Sequence, residues 1–253
     1  MVVRWQRMTP GSMSPHAAQL DREALRACRL FADMDAASLD LCAAALRTRR
    51  FRRGETIFHA GDPGDALFIV AGGQVKITIP PDDGSEPAIL TTVGPGGFFG
   101  ELSLLDGAAR SATAVALDAV ETHVLRREAF ERLVDSDPAL RKALLVALTA
   151  EIRRLTGQVE DLHFLDLPGR LARHLLRTAA TATGRDPVDG DLLRGEIRLP
   201  WPYTQAELAG MIGASRQSVN RLLADLIGEG LLRFDGDELV IPDAAGLAAA
   251  TRR

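Results

Sequence analysis

The run Gly94-Pro95-Gly96-Gly97-Phe98-Phe99-Gly100-Glu101-Leu102-Ser103-Leu104-Leu105 leads, after a short gap, into Arg110-Ser111-Ala112-Thr113. Glycines let a backbone approach a ligand closely. The spacing predicts a short helix opening at Glu101, Leu102 and Ser103, whose free N–H groups attract an anion. Arg110 can clamp a phosphate through two parallel hydrogen bonds, and Ser111 adds a hydroxyl. Glu101 is repelled by a phosphate unless it accepts from another group, and a sugar hydroxyl is a suitable donor. One carboxylate for a ribose and two donors for a phosphate describe a nucleotide site. The same residues admit a plainer arrangement, an ion pair between Glu101 and Arg110 in an empty domain.

A second constellation lies in Thr204-Gln205-Ala206-Glu207-Leu208-Ala209-Gly210-Met211-Ile212-Gly213-Ala214-Ser215-Arg216-Gln217-Ser218-Val219-Asn220-Arg221-Leu222-Leu223. It fits a helix-turn-helix. Thr204 is a natural cap for the first helix and Ser215 for the second. Ala209 is small where the two helices cross, and Gly213 supports the turn. The second helix then shows Arg216, Gln217, Asn220 and Arg221 outward, as a helix that lies in a DNA major groove does. The segment 231–241, with Asp235-Gly236 at its turn, reads as a hairpin and hence a wing.

The elements that must hold these groups follow from periodicity. Residues 1–20 lack any and read as a flexible tail, while 21–48 have helical spacing. From 50 to 125, short apolar runs alternate with glycines, and an Asp83-Gly84 turn separates two of them. Strands at this spacing predict an antiparallel barrel or sandwich. Asp137 and Pro138 then open a long helix. On it Leu145, Leu148, Ile152, Leu155, Val159 and Leu162 step by threes and fours. That narrow seam predicts contact with a second copy, and core packing is the alternative. Pro168 disfavours helix at Leu167, so a hinge is expected over Asp166, Leu167, Pro168 and Gly169. A helix from Arg170 and a linker over 184–195 follow.

The combined pattern resembles the Crp/Fnr family of bacterial transcription regulators over about 25–242. Gly100 to Leu104 with Arg110-Ser111-Ala112-Thr113 look like the phosphate cassette of cyclic-nucleotide-binding domains. Gly61-Asp62-Pro63-Gly64-Asp65 and Gly73-Gln74-Val75 look like that domain's first strands. The resemblance implies an α+β chain. It comprises a tail over 1–20, an antiparallel cyclic-nucleotide-binding β-roll over 21–136, a dimerisation helix over 137–165 and a winged helix-turn-helix domain over 166–253.

It also implies that Glu101 meets the ribose 2′-hydroxyl and that Arg110 and Ser111 meet the cyclic phosphate, beside Gly100, Leu102 and Ser103. Leu155 and Thr156 stand where the family meets the nucleobase. Thr156 offers a hydroxyl; Leu155 does not. Cyclic AMP is the expected ligand and cyclic GMP its nearer competitor. By the same resemblance Arg216 and Arg221 contact bases. Gln217 stands where glutamate is frequent, which changes the preferred base from cytosine toward adenine. Thr204, Gln205 and Ser218 are candidates for phosphates, which position without specifying. A homodimer, double-stranded DNA and RNA polymerase are the expected partners.

Composition narrows the rest. The chain has 253 residues, a net charge of −4 and 46% hydrophobic residues, without an apolar run long enough for a membrane helix. Residues 1–5 hold no apolar core, so no signal peptide and a cytoplasmic location are expected. Cys28 and Cys42 match neither a zinc site nor an iron–sulfur cluster. His59 and His123 read as strand or surface residues rather than haem ligands. No metal site is expected, and no nucleophile–base constellation suggests an enzyme. The remaining alternative is a constitutive or otherwise-gated DNA-binding regulator whose nucleotide pocket is idle. The segment 166–253 holds 11 arginines against 12 acids, so any positive charge offered to DNA must be local.

Overall fold

The computed structural model describes residues 25–80, 87–182 and 195–250. The expected tail, the Asp83-Gly84 turn and all but the last residue of the expected linker lie outside the described residues.

The helical stretch read over 21–48 divides. A helical turn at 25–27 is followed by α1 (Ala36–Ala45), and Arg47 and Thr48 already belong to β1 (Arg47–Phe51). The break has a local cause: the Asp35 carboxylate accepts from the Ser38 amide at 2.8 Å and starts a new helix. Both segments still serve one core, in which Leu25, Phe31, Leu39 and Cys42 are buried with Phe130, Leu140 and Leu144. Burial pushes the Cys28 thiol up to about 11 and the Cys42 thiol up to about 12, which keeps both protonated.

The roll continues with β2 (Thr56–Phe58), β3 (Ala66–Gly72), β4 (Val75–Ile79), β5 (Ala88–Val93), β6 (Phe98–Phe99), β7 (Thr113–Ala116) and β8 (Val120–Arg126). They form two antiparallel four-stranded sheets, ordered β1-β8-β3-β6 and β2-β7-β4-β5. The uninterrupted apolar run of β3 has a structural reason. Ala66, Phe68 and Val70 face the other sheet, while Leu67 and Ile69 face the helical core. A short helix, α2 (Leu102–Asp106), joins β6 to β7, and α3 (Arg127–Ser136) follows β8.

The long helix α4 spans Pro138–Phe164. Its cap is Asp137, which accepts from the amides of Ala139 at 2.8 Å and Leu140 at 3.1 Å. Leu140 and Leu144 anchor its first turns in the roll. Beyond them the seam faces outward, with Leu145 66%, Ile152 64% and Leu162 59% exposed.

The next helix, α5 (Leu167–Ala182), begins three residues earlier than expected. Asp166 Oδ1 accepts from the Gly169 amide at 2.9 Å, so Pro168 falls in a first turn where its missing N–H costs nothing. The corner between α4 and α5 is braced: the buried Asp161 carboxylate accepts from Arg173 at 2.8 Å and Arg177 at 2.5 Å.

The C-terminal unit contains β9 (Ile197–Pro200), α6 (Gln205–Ile212), α7 (Arg216–Gly228), β10 (Arg233–Asp235), β11 (Glu238–Ile241) and α8 (Ala244–Ala250). Its core is built from Leu171, Leu175, Leu208, Ala209, Val219, Leu223, Leu239 and Leu247, among others. The expected hairpin is present, with Asp235 paired to Glu238 across a Gly236-Asp237 loop. The third strand, β9, which pairs with β11, was not expected. No helix among the described residues is long and apolar enough to cross a membrane.

Candidate functional site

The glycine-rich run folds as β6, a bend at Gly100 and α2, with Glu101 at the helix N-cap. Burial pushes the Glu101 carboxyl above the usual range; the neighbouring carboxylate of Glu151 on α4 adds to this, and Arg110 opposes it. Arg110 is buried. Its Nη1 donates to the Gly100 carbonyl at 2.6 Å and its Nη2 to the Ala66 carbonyl at 2.8 Å. The guanidinium lies 4.3 Å from the centre of the Phe58 ring, and its Nε is buried without a partner. The terminal nitrogens are thus committed to main-chain carbonyls, in place of the ion pair with Glu101 that the residues alone also allowed. One donor of this fixed cation is left unmatched. Ser103 is buried, Ser111 and Leu102 are exposed, and Gly64 has no room for a side chain, since a Cβ there would stand 2.2 Å from that of Ser103.

Arg127 was missed by sequence reasoning. At the start of α3 its Nη2 donates to the carbonyls of Gly64 at 2.6 Å and Ser103 at 2.8 Å, and its Nη1 to that of Leu104 at 3.3 Å. Arg127 therefore ties the loop before β3 to the helix that carries the cassette. Helical spacing marks only its pairing with Glu131 four residues on, at 3.3 Å; the three backbone carbonyls follow from the fold.

On α4, Thr156 is exposed and its hydroxyl donates to the Ile152 carbonyl at 3.0 Å. The side chains that cross to the roll are Arg154 and Gln158, which donate to the Leu90 carbonyl at 2.9 Å and 3.0 Å. Arg154 also grips Glu151 through two bonds of 2.6 Å and 2.8 Å.

The second constellation folds as two helices. Thr204 and Glu207 form a reciprocal capping box at the start of α6. Gly213 takes φ +65° at the turn, and Ser215 caps α7 by accepting from the Ser218 amide at 3.1 Å. Ala209 and Val219 are fully buried at the crossing. Gln205, Arg216, Gln217, Asn220 and Arg221 are exposed. The hydroxyls of Thr204 and Ser218 are engaged in caps, with Glu207 at 3.0 Å and with Ser215 at 2.9 Å. Arg198 and Arg233 on the wing strands are paired with Glu196, Asp235 and Glu238. The positive charge shown to a nucleic acid by α7 is therefore that of Arg216 and Arg221.

Residues 48–137 match the family model of the cyclic nucleotide-binding domain, and 169–250 that of the Crp-like helix-turn-helix domain. The chain is 34% identical to the CRP-like cAMP-activated global transcriptional regulator of Mycobacterium tuberculosis, over 91% of this chain and 99% of that protein. It is 32% identical to the cyclic AMP receptor protein of Thermus thermophilus, over 85% of this chain and 93% of that one. Among solved structures it is similar to the c-di-GMP responsive global regulator CLP of Xanthomonas campestris, with a TM-score of 0.67 and 25% identity, covering 82% of this chain and 99% of that one. A cyclic-nucleotide-binding roll joined by a long helix to a Crp-like helix-turn-helix, with a third of its residues shared along nearly the whole length of such relatives, places this chain in the Crp/Fnr family of DNA-binding transcription regulators rather than among enzymes.

Proposed function

We propose that the protein is a homodimeric regulator gated by cyclic AMP. The observation that carries this reading is the state of Arg110: buried, fixed by two carbonyls, with an unmatched Nε beside the short helix and the half-buried Glu101. Arg110 and Ser111 would take the cyclic phosphate together with the main chain of Gly100, Leu102 and Ser103, and Glu101 would accept from the ribose 2′-hydroxyl. Relatives named as cAMP-activated support the choice of nucleotide. The exposed seam of α4 supports a parallel pair of long helices, and Thr156 beside it would meet the base.

At the other end, Arg216 and Arg221 would read bases with Gln217 and Asn220. The free amides at the starts of α6 and α7, at Gln205 and next to the Ser215 cap, would hold phosphates. Of the expected hinge over 166–169 only Asp166 lies outside the helices, so the pivot would be the corner between α4 and α5, and the Asp161 brace limits its freedom. RNA polymerase is the proposed downstream partner.

A ligand shifts the DNA-binding equilibrium only as far as it prefers one state. Calorimetry with cyclic AMP, cyclic GMP and cyclic di-GMP tests the ligand. Operator titration with and without the winning nucleotide tests the gate. Equal operator affinity at saturating nucleotide would refute gating and leave a constitutive regulator.

A further inference from the structure

The hairpin read as a wing belongs to a three-stranded sheet ordered β10-β11-β9. Its register sets Arg233, Val240 and Arg198 side by side, with Asp235, Glu238 and Pro200 in a second row. Side chains directly opposite one another share a face. These two rows therefore lie on the face away from the core, in which Leu199 and Leu239 are buried. On that face both arginines are held. Arg198 donates to Asp235 at 2.9 Å, to Glu238 at 3.1 Å and to Glu196, just before β9, at 3.0 Å. Arg233 donates to Glu196 at 2.7 Å. The Arg233 guanidinium, aided by Arg198, holds the Glu196 carboxyl below the usual carboxylate range, so these pairs are charged at neutral pH.

Four acids, Glu196, Asp235, Asp237 and Glu238, stand against these two arginines over 196–200 and 233–241. The surplus lies at the hairpin loop, where Asp235 and Asp237 are exposed. That loop is tied to the start of α6. The Trp201 amide donates to the Asp237 carbonyl at 2.8 Å, three residues ahead of the Thr204 cap. A phosphate approaching the free amides of α6 therefore meets an acidic loop, while both wing arginines are engaged elsewhere.

We infer that the wing is a charge-locked, repulsive element: Glu196, Asp235 and Glu238 withhold Arg198 and Arg233 from DNA phosphates, and Asp237 repels them. The inference rests on the proposed placement of the starts of α6 and α7 against DNA. Phosphate contact supplies essentially all non-specific binding. A wing of this kind lowers that contribution and leaves the protein dependent on the base contacts of α7. Repulsion serves specificity as well as attraction does.

Full-length variants test the lock and the repulsion separately. Asp237→Asn removes the exposed charge and keeps the main-chain bond to Trp201, so the hairpin fold is not at stake. Glu196→Gln releases Arg233 and one contact of Arg198. Fluorescence anisotropy, with cyclic AMP present throughout, follows binding to a duplex selected from a random pool and to its scrambled sequence. Salt is varied from about 50 to about 200 mM. Asp237→Asn should bind the scrambled duplex at least threefold more tightly at the lowest salt. Glu196→Gln should steepen the fall of log affinity with log salt by about 0.9 per wing, or about 2 per dimer, since each released arginine neutralises one more phosphate. Glu128→Gln, an exposed acid on α3 of the roll, removes the same charge far along the chain and should change neither readout. Unchanged affinity in Asp237→Asn overturns the repulsion, and an unchanged slope in Glu196→Gln overturns the lock. Equal gains in Glu128→Gln overturn both, because net charge alone would then act. Arg216→Ala checks the placement beneath the inference: it should cut the preference for the selected duplex at least tenfold. A retained preference fails that placement instead, and Asp237→Asn still decides whether the wing repels DNA.

Discussion

Truncating Ile152 to alanine tests whether the α4 seam is an interface. Ile152 is 64% exposed in the protomer, so a partner helix has most of the side chain left to cover. Full burial of an Ile or Leu side chain stabilises by about 1.5–3 kcal/mol, so covering this one contributes about 1–2 kcal/mol per protomer. A two-fold interface counts each substitution twice, giving about 2–4 kcal/mol per dimer, or about 30- to 900-fold in the dissociation constant. Sedimentation equilibrium over a dilution series reads this directly. At concentrations where both proteins are monomeric the variant should melt where the wild type does, because alanine is the better helix former and no core contact is lost. Leu144→Ala is the contrast. Leu144 lies on the same helix but is buried in the roll, and its truncation should cost about 2–5 kcal/mol of folding stability. A dissociation constant for Ile152→Ala within threefold of wild type would refute the interface and return the seam to ordinary surface.

Arg110→Ala should abolish cyclic nucleotide binding in calorimetry while the roll still folds; retained binding contradicts the phosphate assignment. Glu101→Gln should weaken nucleotide binding by about 1.5–3 kcal/mol, the usual contribution of a hydrogen bond to a charged group. It should also raise thermal stability at neutral pH: the folded carboxyl is pushed up by burial, so the folded state loses stability as pH rises through the ordinary carboxylate range, and the amide escapes that loss. Arg127→Ala should loosen α2 and weaken nucleotide binding, detectable as faster amide exchange over 102–106 alongside the lower affinity. His174 is held down to about 4, first by burial and then by Arg177. The unfolded chain therefore takes the proton first as pH falls below about 6.5, and stability drops by about 1.4 kcal/mol per pH unit down to about 4. Acid titration of the melting temperature should show this fall, and His174→Leu should flatten it.

Much of the architecture was legible because it rests on local rules. Asp137 starts α4 and Thr204 and Ser215 start the two reader helices, and each needs only a side-chain oxygen within a turn of free amides. The alternation of β-strands and the α4 seam are likewise properties of short windows. The α1 boundary and the start of α5 were misjudged by local competition: Asp35 and Asp166 each cap a new helix where periodicity or Pro168 suggested otherwise. Strand β9 was invisible because it gains its meaning from pairing with β11, some forty residues later in the chain.

The candidate sites divide the same way. Residue type and spacing alone singled out Glu101, Arg110 and Ser111 and put Arg216, Gln217, Asn220 and Arg221 on the outer face of one helix; base contacts by Arg216 and Arg221 came from the family resemblance. Whether Arg110 would pair with Glu101 was undecided until the fold supplied two carbonyls as acceptors. The contacts of Arg127 with the carbonyls of Gly64, Ser103 and Leu104, and of Arg154 with that of Leu90, belong to the tertiary structure, because those acceptors lie between 23 and 64 residues away along the chain. Local sequence determined which chemistry this protein carries, through side-chain type, helix caps and periodicity. Only the packing of the strands and helices decided which of those groups are buried and which are matched, because their acceptors are brought together from distant parts of the chain.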